Sequence, residues 1–509
     1  MNLRRRKAAA LLATAGMLTV SACSAGSTDQ DENDGGDGAS AASGDLSIGL
    51  VAEPANLDFT TTDGAAIPQV LLYNVYENLV QLDQEGTVVP GLAESWETSE
   101  DGTVYTFELR DGVTFSNGEE FSAEDAKFSI EAVQNDWSVS LAAAMDIVES
   151  VEAVSPTELA VTLKRPSNDW LYRMTTRIGA MFDEKGVANL GTKPIGTGPY
   201  TLRKWNRGDS IVLERNDDYW GDAPGFSEVE FKYFADPTAL NNAFLTDTID
   251  VIGTVQTPES LGQFEGNDDY QVIEGTTNGE VLLSMNNESG PLSEQPMREA
   301  VRYALDNEAL LETCWAGRGE LIGSMVPPTD PWYEDLTDMF PYDVEQAESL
   351  LDEAGYDGKP LRLRVPSLPY AVACGQVVKS QLEQAGIEVD LDQLEFPAAW
   401  LQTVFTDADY DMSIISHVEP RDMGAVFGDP SYYTRYDNAE FRDLLEEADQ
   451  ASPEEQVTLM QDAAELLSQD AAGEFLFVLP NLMVAGADIT GLPENAISES
   501  FDLTSLGRE

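Results

Sequence analysis

From Asp45 onward the apolar positions alternate between a two-residue period and a three-to-four-residue period. Leu46, Ile48 and Leu50 are separated by single residues, which predicts a strand with one face turned to a core. Residues 104–109 predict a second strand, and Asp111-Gly112 with Asn117-Gly118 supply the turns of a hairpin or meander. Further strands are predicted at 210–214, 228–234, 361–365, 387–391 and 410–416. Met297, Ala300, Val301, Ala304 and Leu305 form the apolar stripe of a helix. Helix starts are marked by Ser122 with Asp125 and by Asp343 with Gln346, the latter helix closing at Gly355. Ser452-Pro453-Glu454-Glu455 combines an N-cap hydroxyl, a first-turn proline and a carboxylate able to reach back. Strands interleaved with helices throughout predict an α/β chain, not a β-sandwich.

Composition narrows the function classes. At 509 residues the chain is long enough for two or more cores, and 42% hydrophobic residues exclude wholesale disorder. With 92 Asp+Glu against 28 Lys+Arg the net charge is −64, which excludes nucleic acid as a partner, because phosphate binding needs a basic face. A single histidine, His417, excludes a multi-histidine metal centre. No cofactor is expected. The acidic surplus is read as solubility in a saline or cell-surface setting; selection of cationic ligands is the alternative.

The N-terminus carries Arg4, Arg5, Arg6 and Lys7, then an apolar stretch over 8–20 that is short for a membrane span and suits an export signal. It ends Val20-Ser21-Ala22-Cys23, which resembles a bacterial lipobox. Residues 1–22 are therefore expected to be a lipoprotein signal peptide, with Cys23 lipidated; an ordinary cleaved signal is the alternative. Residues 23–44 read as an acidic flexible tether. Asp29, Asp31 and Asn33 fail as a calcium loop, since Asp34 stands where glycine is needed and Ser40 where glutamate is needed. Export implies an oxidising compartment, so Cys314 and Cys374 are a candidate disulfide, two buried thiols being the alternative.

Three stretches carry a family resemblance. The first runs from Pro90-Gly91-Leu92-Ala93-Glu94-Ser95-Trp96 through Val104–Leu109 and Phe115-Ser116-Asn117-Gly118 to Phe121-Ser122-Ala123-Glu124-Asp125. The second is Pro194-Ile195-Gly196-Thr197-Gly198-Pro199-Tyr200 with Trp205, Gly208-Asp209, Glu214-Arg215-Asn216 and Tyr219-Trp220; the third is Val301-Arg302-Tyr303-Ala304-Leu305-Asp306. Together they resemble bacterial extracellular solute-binding proteins of ABC importers, family 5, the oligopeptide/dipeptide/nickel-binding type. The resemblance implies a two-lobed periplasmic-binding-protein-like fold (type II, large cluster C type) with an extra subdomain. Lobe I is expected at 45–75, 193–272 and 480–509, the extra subdomain at 76–192, and lobe II at 273–479. It further implies capture of an oligopeptide or similar amide-rich solute between the lobes and delivery to ABC permease subunits with their ATPases. The chain is then expected to be a monomer touching the membrane through its lipid anchor alone, on the outer face of the cell membrane. Receptors for nickel or metal chelates, haem or oligosaccharides, and a lipid-anchored sensory receptor, are alternatives on the same fold.

In peptide-binding relatives an Asp after a strand like 410–416 pairs with the peptide ammonium. Here that position falls on or beside Pro420, leaving Glu419 and Asp422 as the nearest carboxylates and Arg421 as a partner for a ligand carboxylate. Mutual ion pairing of these three on a loop is the competing reading. His417 is expected as a hydrogen-bonded wall residue, not a metal ligand. Trp400 sits where relatives place an aromatic against the ligand, with core packing as the alternative. Asn286 and Asn287 are candidates for bonding a peptide backbone, or else a turn. Relatives that hold a dipeptide carboxylate use an Arg after a strand like 361–365, where this chain has Pro366-Ser367-Leu368-Pro369-Tyr370. Trp96, Tyr105, Phe107, Trp205 and Trp220 are read as packing residues, and Gly196-Thr197-Gly198-Pro199 as a turn entering a strand. No nucleophile elbow or Ser-x-x-Lys set occurs, so binding without catalysis is expected, a hydrolase being the weaker alternative.

Overall fold

The computed structural model describes residues 44–62 and 64–509. The expected export segment, Cys23 and the expected tether up to residue 43 lie outside the described residues. No described helix is long and apolar enough to cross a membrane.

The alternating Leu46, Ile48 and Leu50 do form a strand, Asp45–Leu50, and all three side chains are buried. It stands in the middle of a seven-stranded mixed sheet, pairing in parallel with Glu228–Tyr233 on one side and Val251–Ile252 on the other. Ser210–Arg215 and Tyr200–Asn206 extend the first side; Asn481–Gly486 and Tyr270–Gly275 complete the second. A separate five-stranded sheet runs Val389–Leu394, Leu361–Pro366, Met412–His417, Glu280–Met285, Gly473–Val478. A four-stranded antiparallel sheet, Ala93–Thr98, Val104–Leu109, Glu158–Leu163 and Val148–Ser155, carries its own core, with the helix Ala123–Asp136 packed on it.

The chain passes between the two large sheets twice, from Tyr270–Gly275 into Glu280–Met285 and from Gly473–Val478 into Asn481–Gly486. The two crossings are bonded together. The Leu479 N–H donates to the Gly279 carbonyl at 2.8 Å, and the Thr277 hydroxyl donates to the Leu479 carbonyl at 2.6 Å. Two short adjacent segments between two lobes make a hinge of the kind that absorbs domain closure.

Local signals placed the helix ends well. Asp125 accepts the Ser122 N–H at 3.0 Å, Asp343 accepts the Gln346 N–H at 3.0 Å, and Gly355 closes that helix at φ 67°. Ser452 accepts the Glu455 N–H at 3.3 Å and starts Pro453–Gln469. The strand expected at 387–391 begins instead at Val389. Ile387 is spent on the preceding helix, where its N–H closes on the Leu382 carbonyl after Gly386 at φ 84°. Cys314 and Cys374, on the helices Asn307–Trp315 and Pro369–Gln384, are disulfide-bonded within the core of the five-stranded lobe.

The Gly196-Thr197-Gly198-Pro199 turn does lead into the strand Tyr200–Asn206. A Cβ on Gly196 would lie 1.9 Å from the Val75 carbonyl oxygen, so only glycine allows that approach. The approach brings Thr197 onto Glu77, whose buried carboxylate also accepts from Trp220 Nε1 at 2.9 Å and the Tyr219 hydroxyl at 2.9 Å. Burial, only partly offset by these donors, pushes the Glu77 pKa up to about 7. The folded state therefore binds a proton that the unfolded chain has lost. The associated stability is full below the unfolded value near 4.5 and disappears as pH rises through about 7. Glu77→Gln can keep these partners, its amide N–H turning to the Tyr219 oxygen. Wild type should lose about 2–3 kcal/mol more than this variant between acid and mildly alkaline pH. Equal pH slopes in urea unfolding would contradict that assignment.

Candidate functional site

A cavity of about 360 Å³ lies between the two large sheets. Gly253–Gln256, after the strand Val251–Ile252, and the C-terminal segment 498–502 form one wall; Trp315 and Val418-Glu419-Pro420 form the other. The hinge residues Thr277–Gly279 and Leu479-Pro480 also line it. Among the described residues its one cation is Arg177, which is buried and held by Glu499. Glu499 accepts the Arg177 backbone N–H at 2.6 Å and Nε at 2.6 Å, while a further guanidinium N–H reaches the Gly64 carbonyl at 3.3 Å. Carboxylates of Asp83, Glu419 and Asp502 complete the charged lining, so the cavity is net acidic. A larger hollow of about 550 Å³ runs along the strand Tyr200–Asn206 and takes no part in the seam between the lobes.

The predicted loop after Met412–His417 does reach this cavity, through one of its expected residues. Glu419 is exposed on the wall. Arg421 turns away into a pocket of its own, its guanidinium 3.5 Å over the Tyr172 ring and 4.8 Å from that of Trp332, with Asp330 at 3.8 Å. In place of a ligand-facing guanidinium, the structure gives Arg421 a partner outside the loop, Asp330, the backbone taking φ 55° at Arg421. Asp422 is buried behind the loop, its Oδ2 3.9 Å from His417 Nδ1. His417 Nε2 bonds the Tyr433 hydroxyl at 2.9 Å.

This group is short of solvent and rich in carboxyls. Burial, with the charge of Glu419 next, raises the Asp422 pKa well above the ordinary range, and burial with the charge of Asp422 does the same to Glu280. Burial also lifts Asp330 to about 6, against the pull of Arg421. Desolvation lowers His417 to about 4, so its imidazole is neutral at physiological pH and pairs with no carboxylate by charge.

The other candidates lie apart. Trp400 is buried among Val404, Tyr410, Ile415 and Tyr433, and its indole donates to Ser413 Oγ at 3.0 Å. Asn286 and Asn287 follow the C-terminal end of Glu280–Met285, whereas His417 pairs with Glu280 at the other end of that strand. The Asn286 amide donates to the Ala408 carbonyl, and that of Asn287 to the Met285, Thr434 and Ala472 carbonyls. Both therefore serve loop structure in this fold. The packing reading of the aromatics holds: Tyr105 and Phe107 are core residues, and Trp96, Trp205 and Trp220 pack against the cores, the last two also donating to half-buried or buried glutamates. Sequence reasoning missed Arg177 and Glu499, which stand 322 positions apart; one arginine and one of 92 acidic residues carry no local mark of their pairing.

Comparison with known proteins agrees with this architecture. Residues 87–450 match the model of the bacterial extracellular solute-binding proteins, family 5 middle region. The nickel-binding periplasmic protein of Escherichia coli K12 is 31% identical over 346 residues, covering 62% of this chain and 65% of that protein. The glutathione-binding protein GsiB of the same strain is 28% identical over 352 residues, 66% of this chain and 68% of that one. Among solved structures, Helicobacter pylori DppA in complex with the peptide STSA superposes with a TM-score of 0.81 at 22% identity, covering 92% of this chain and 98% of that one. Brucella suis NikA in complex with Fe(III)-EDTA gives 0.80 at 25%, covering 91% and 100%. With two lobes, a double-stranded hinge and a cavity between them, the chain belongs to the bacterial extracellular solute-binding proteins of family 5, which bind their solutes and do not transform them.

Proposed function

We propose that this protein is the lipid-anchored solute receptor of an ABC importer, capturing a short peptide or similarly amide-rich solute and delivering it to the permease. Lobe I is assigned to 45–75, 193–272 and 480–509, with its extra subdomain at 76–192; lobe II is 273–479. Cys23 carries the lipid at the outer face of the membrane, and the receptor works as a monomer. The supporting observation is the 360 Å³ cavity, which takes its walls from both lobes and includes the hinge itself. A solute that touches both walls favours the closed form by its differential contacts. The volume is at the small end of the usual range for ligand pockets, which favours a short solute.

Glu419 is the carboxylate on lobe II's wall suited to a peptide ammonium, and Arg177 the cation suited to a carboxylate. A metal-chelate reading draws support from the nickel-binding relative and from the Fe(III)-EDTA complex, but His417 has its Nε2 committed to Tyr433 and is not part of the lining. Native mass spectrometry of the purified protein should find a co-purifying peptide, and adding that peptide should raise the Tm by mass action. Glu419→Ala should weaken its binding about five- to tenfold, measured on the folded variant. A co-purified metal chelate, or unchanged peptide affinity in that variant, would overturn the reading.

A further inference from the structure

The four-stranded subdomain meets the five-stranded lobe through the short helix Asn168–Arg173 and the residues just before it. Its Trp170 is anchored in the subdomain's own core. At its start it meets the end of the helix Ala439–Gln450, which packs against Pro453–Gln469 in the other body. Asp449 accepts the Ser167 hydroxyl at 2.7 Å and the Asp169 N–H at 3.1 Å, and pairs with Arg165 at 2.5 Å. In return the Asn168 amide donates to the carbonyls of Ala448 at 3.1 Å and Ala451 at 2.8 Å. Each helix thus engages end groups of the other: Asp449 takes the first-turn N–H of Asp169, and the Asn168 amide adds a donor to the carbonyls at the C-terminal end of the longer helix.

The placement of Asp449 breaks a local rule. It is an acidic residue in the last turn of a helix with no basic residue there, where the backbone dipole disfavours negative charge. Within its own helix nothing compensates that cost; the contacts from Arg165, Ser167 and Asp169 do. Such a local violation marks a site selected for something other than the helix's own stability. At the far end of the same short helix, Arg173 donates to the Pro420 carbonyl at 3.0 Å and the Arg421 carbonyl at 3.3 Å, and Tyr172 lies beneath the Arg421 guanidinium. Pro420 lines the cavity. One six-residue helix therefore grips both the partner lobe's surface helix and the loop that walls the solute.

We propose that Asn168–Arg173 is an interlobe clasp, with Asp449 its principal receiver, that holds the clamp shut and so sets how long a solute stays. Opening about the hinge must break the reciprocal caps, and the closed population weights the apparent affinity of any solute. Asp449 and Asn168 are positioning residues: neither lines the cavity.

The test needs no solute, so its outcome is separate from the identity of the ligand. X-ray scattering of the solute-stripped wild type at low salt should show a population dominated by the compact form. In Asp449→Ala the ratio of closed to open molecules should fall about tenfold, given the charge-assisted bonds removed. Raising salt should open wild type by screening the half-exposed Arg165–Asp449 pair and should change the variant little. Asp449→Asn, which keeps one accepting oxygen, should fall between them. If Asp449→Ala fails to fold, Asn168→Ala probes the clasp from the other side with Asp449 in place. Scattering curves that superimpose for wild type and the folded variants, or a salt response equal in both, would overturn the clasp.

Discussion

Replacing Arg302 with Met is expected to cost about 3–5 kcal/mol of stability, the loss typical of removing one partner from a buried ion pair. Arg302 and Glu474 face each other with side chains only 3% and 4% exposed. The guanidinium also donates to the Ser468 carbonyl at 2.7 Å and hydroxyl at 3.0 Å, and lies 4.2 Å over the Phe340 ring. Without it, Glu474 would keep the Asn307 amide at 2.5 Å and little else against its desolvation. The companion Arg302→Met/Glu474→Leu should recover most of the loss, because no charge is then left stranded. Urea unfolding followed by tryptophan fluorescence separates the cases. A single variant as stable as wild type would show that the buried pair contributes nothing net to the fold. Arg302 belongs to the Val301–Asp306 motif that carried part of the family resemblance, so the motif marks a structural bridge and not a ligand contact.

Removing the Cys314–Cys374 bridge as a Cys314→Ala/Cys374→Ala pair should cost about 4 kcal/mol, from the loop-closure entropy restored to the unfolded chain. The bond joins positions 60 residues apart and clips two helices of one core. Part of the cost arises from the smaller alanines in that core, which Cys→Ser would not separate cleanly because it buries hydroxyls. Reduction of the wild type by thiol under partly denaturing conditions supplies the control, since it breaks the bond and keeps both sulfurs. Calorimetry should show the loss confined to the transition of the five-stranded lobe, and a wild type whose melting ignores reductant would refute the estimate.

The elements that could be read from the chain are those whose causes are local. Asp45–Leu50 follows from alternation, Val344–Ala354 from Asp343 at one end and Gly355 at the other, and Pro453–Gln469 from Ser452 and a first-turn proline. Boundaries slipped where a neighbour took a residue, as the helix Pro369–Gln384 took Ile387. The site was legible only in part. Glu419 could be placed by counting from a strand, since a strand delivers its following loop to a predictable sheet edge. The directions of Arg421 and Asp422 could not, because one left-handed residue redirects the loop and Tyr172, 249 positions away, supplies the surface on which Arg421 rests. Asn286 and Asn287 could be read as peptide-bonding amides or as a turn; Asn286 accepts from Glu288 and Ser289 in a turn, and the donors of both go to carbonyls that the sequence does not place beside them.

By itself the chain determined its α/β character, the caps of its helices and the turn that leads into Tyr200–Asn206. Each depends on residues within a few positions of one another, where spacing and stereochemistry act directly. Tertiary structure alone decided that Arg177 answers Glu499 in the cavity, that Asp449 receives the Asn168–Arg173 helix, and which of the 92 acidic residues are buried with raised pKa values. Burial and long-range pairing are properties of the packed lobes, and the free energy of a charge is set by what surrounds it in space, not by its place in the chain.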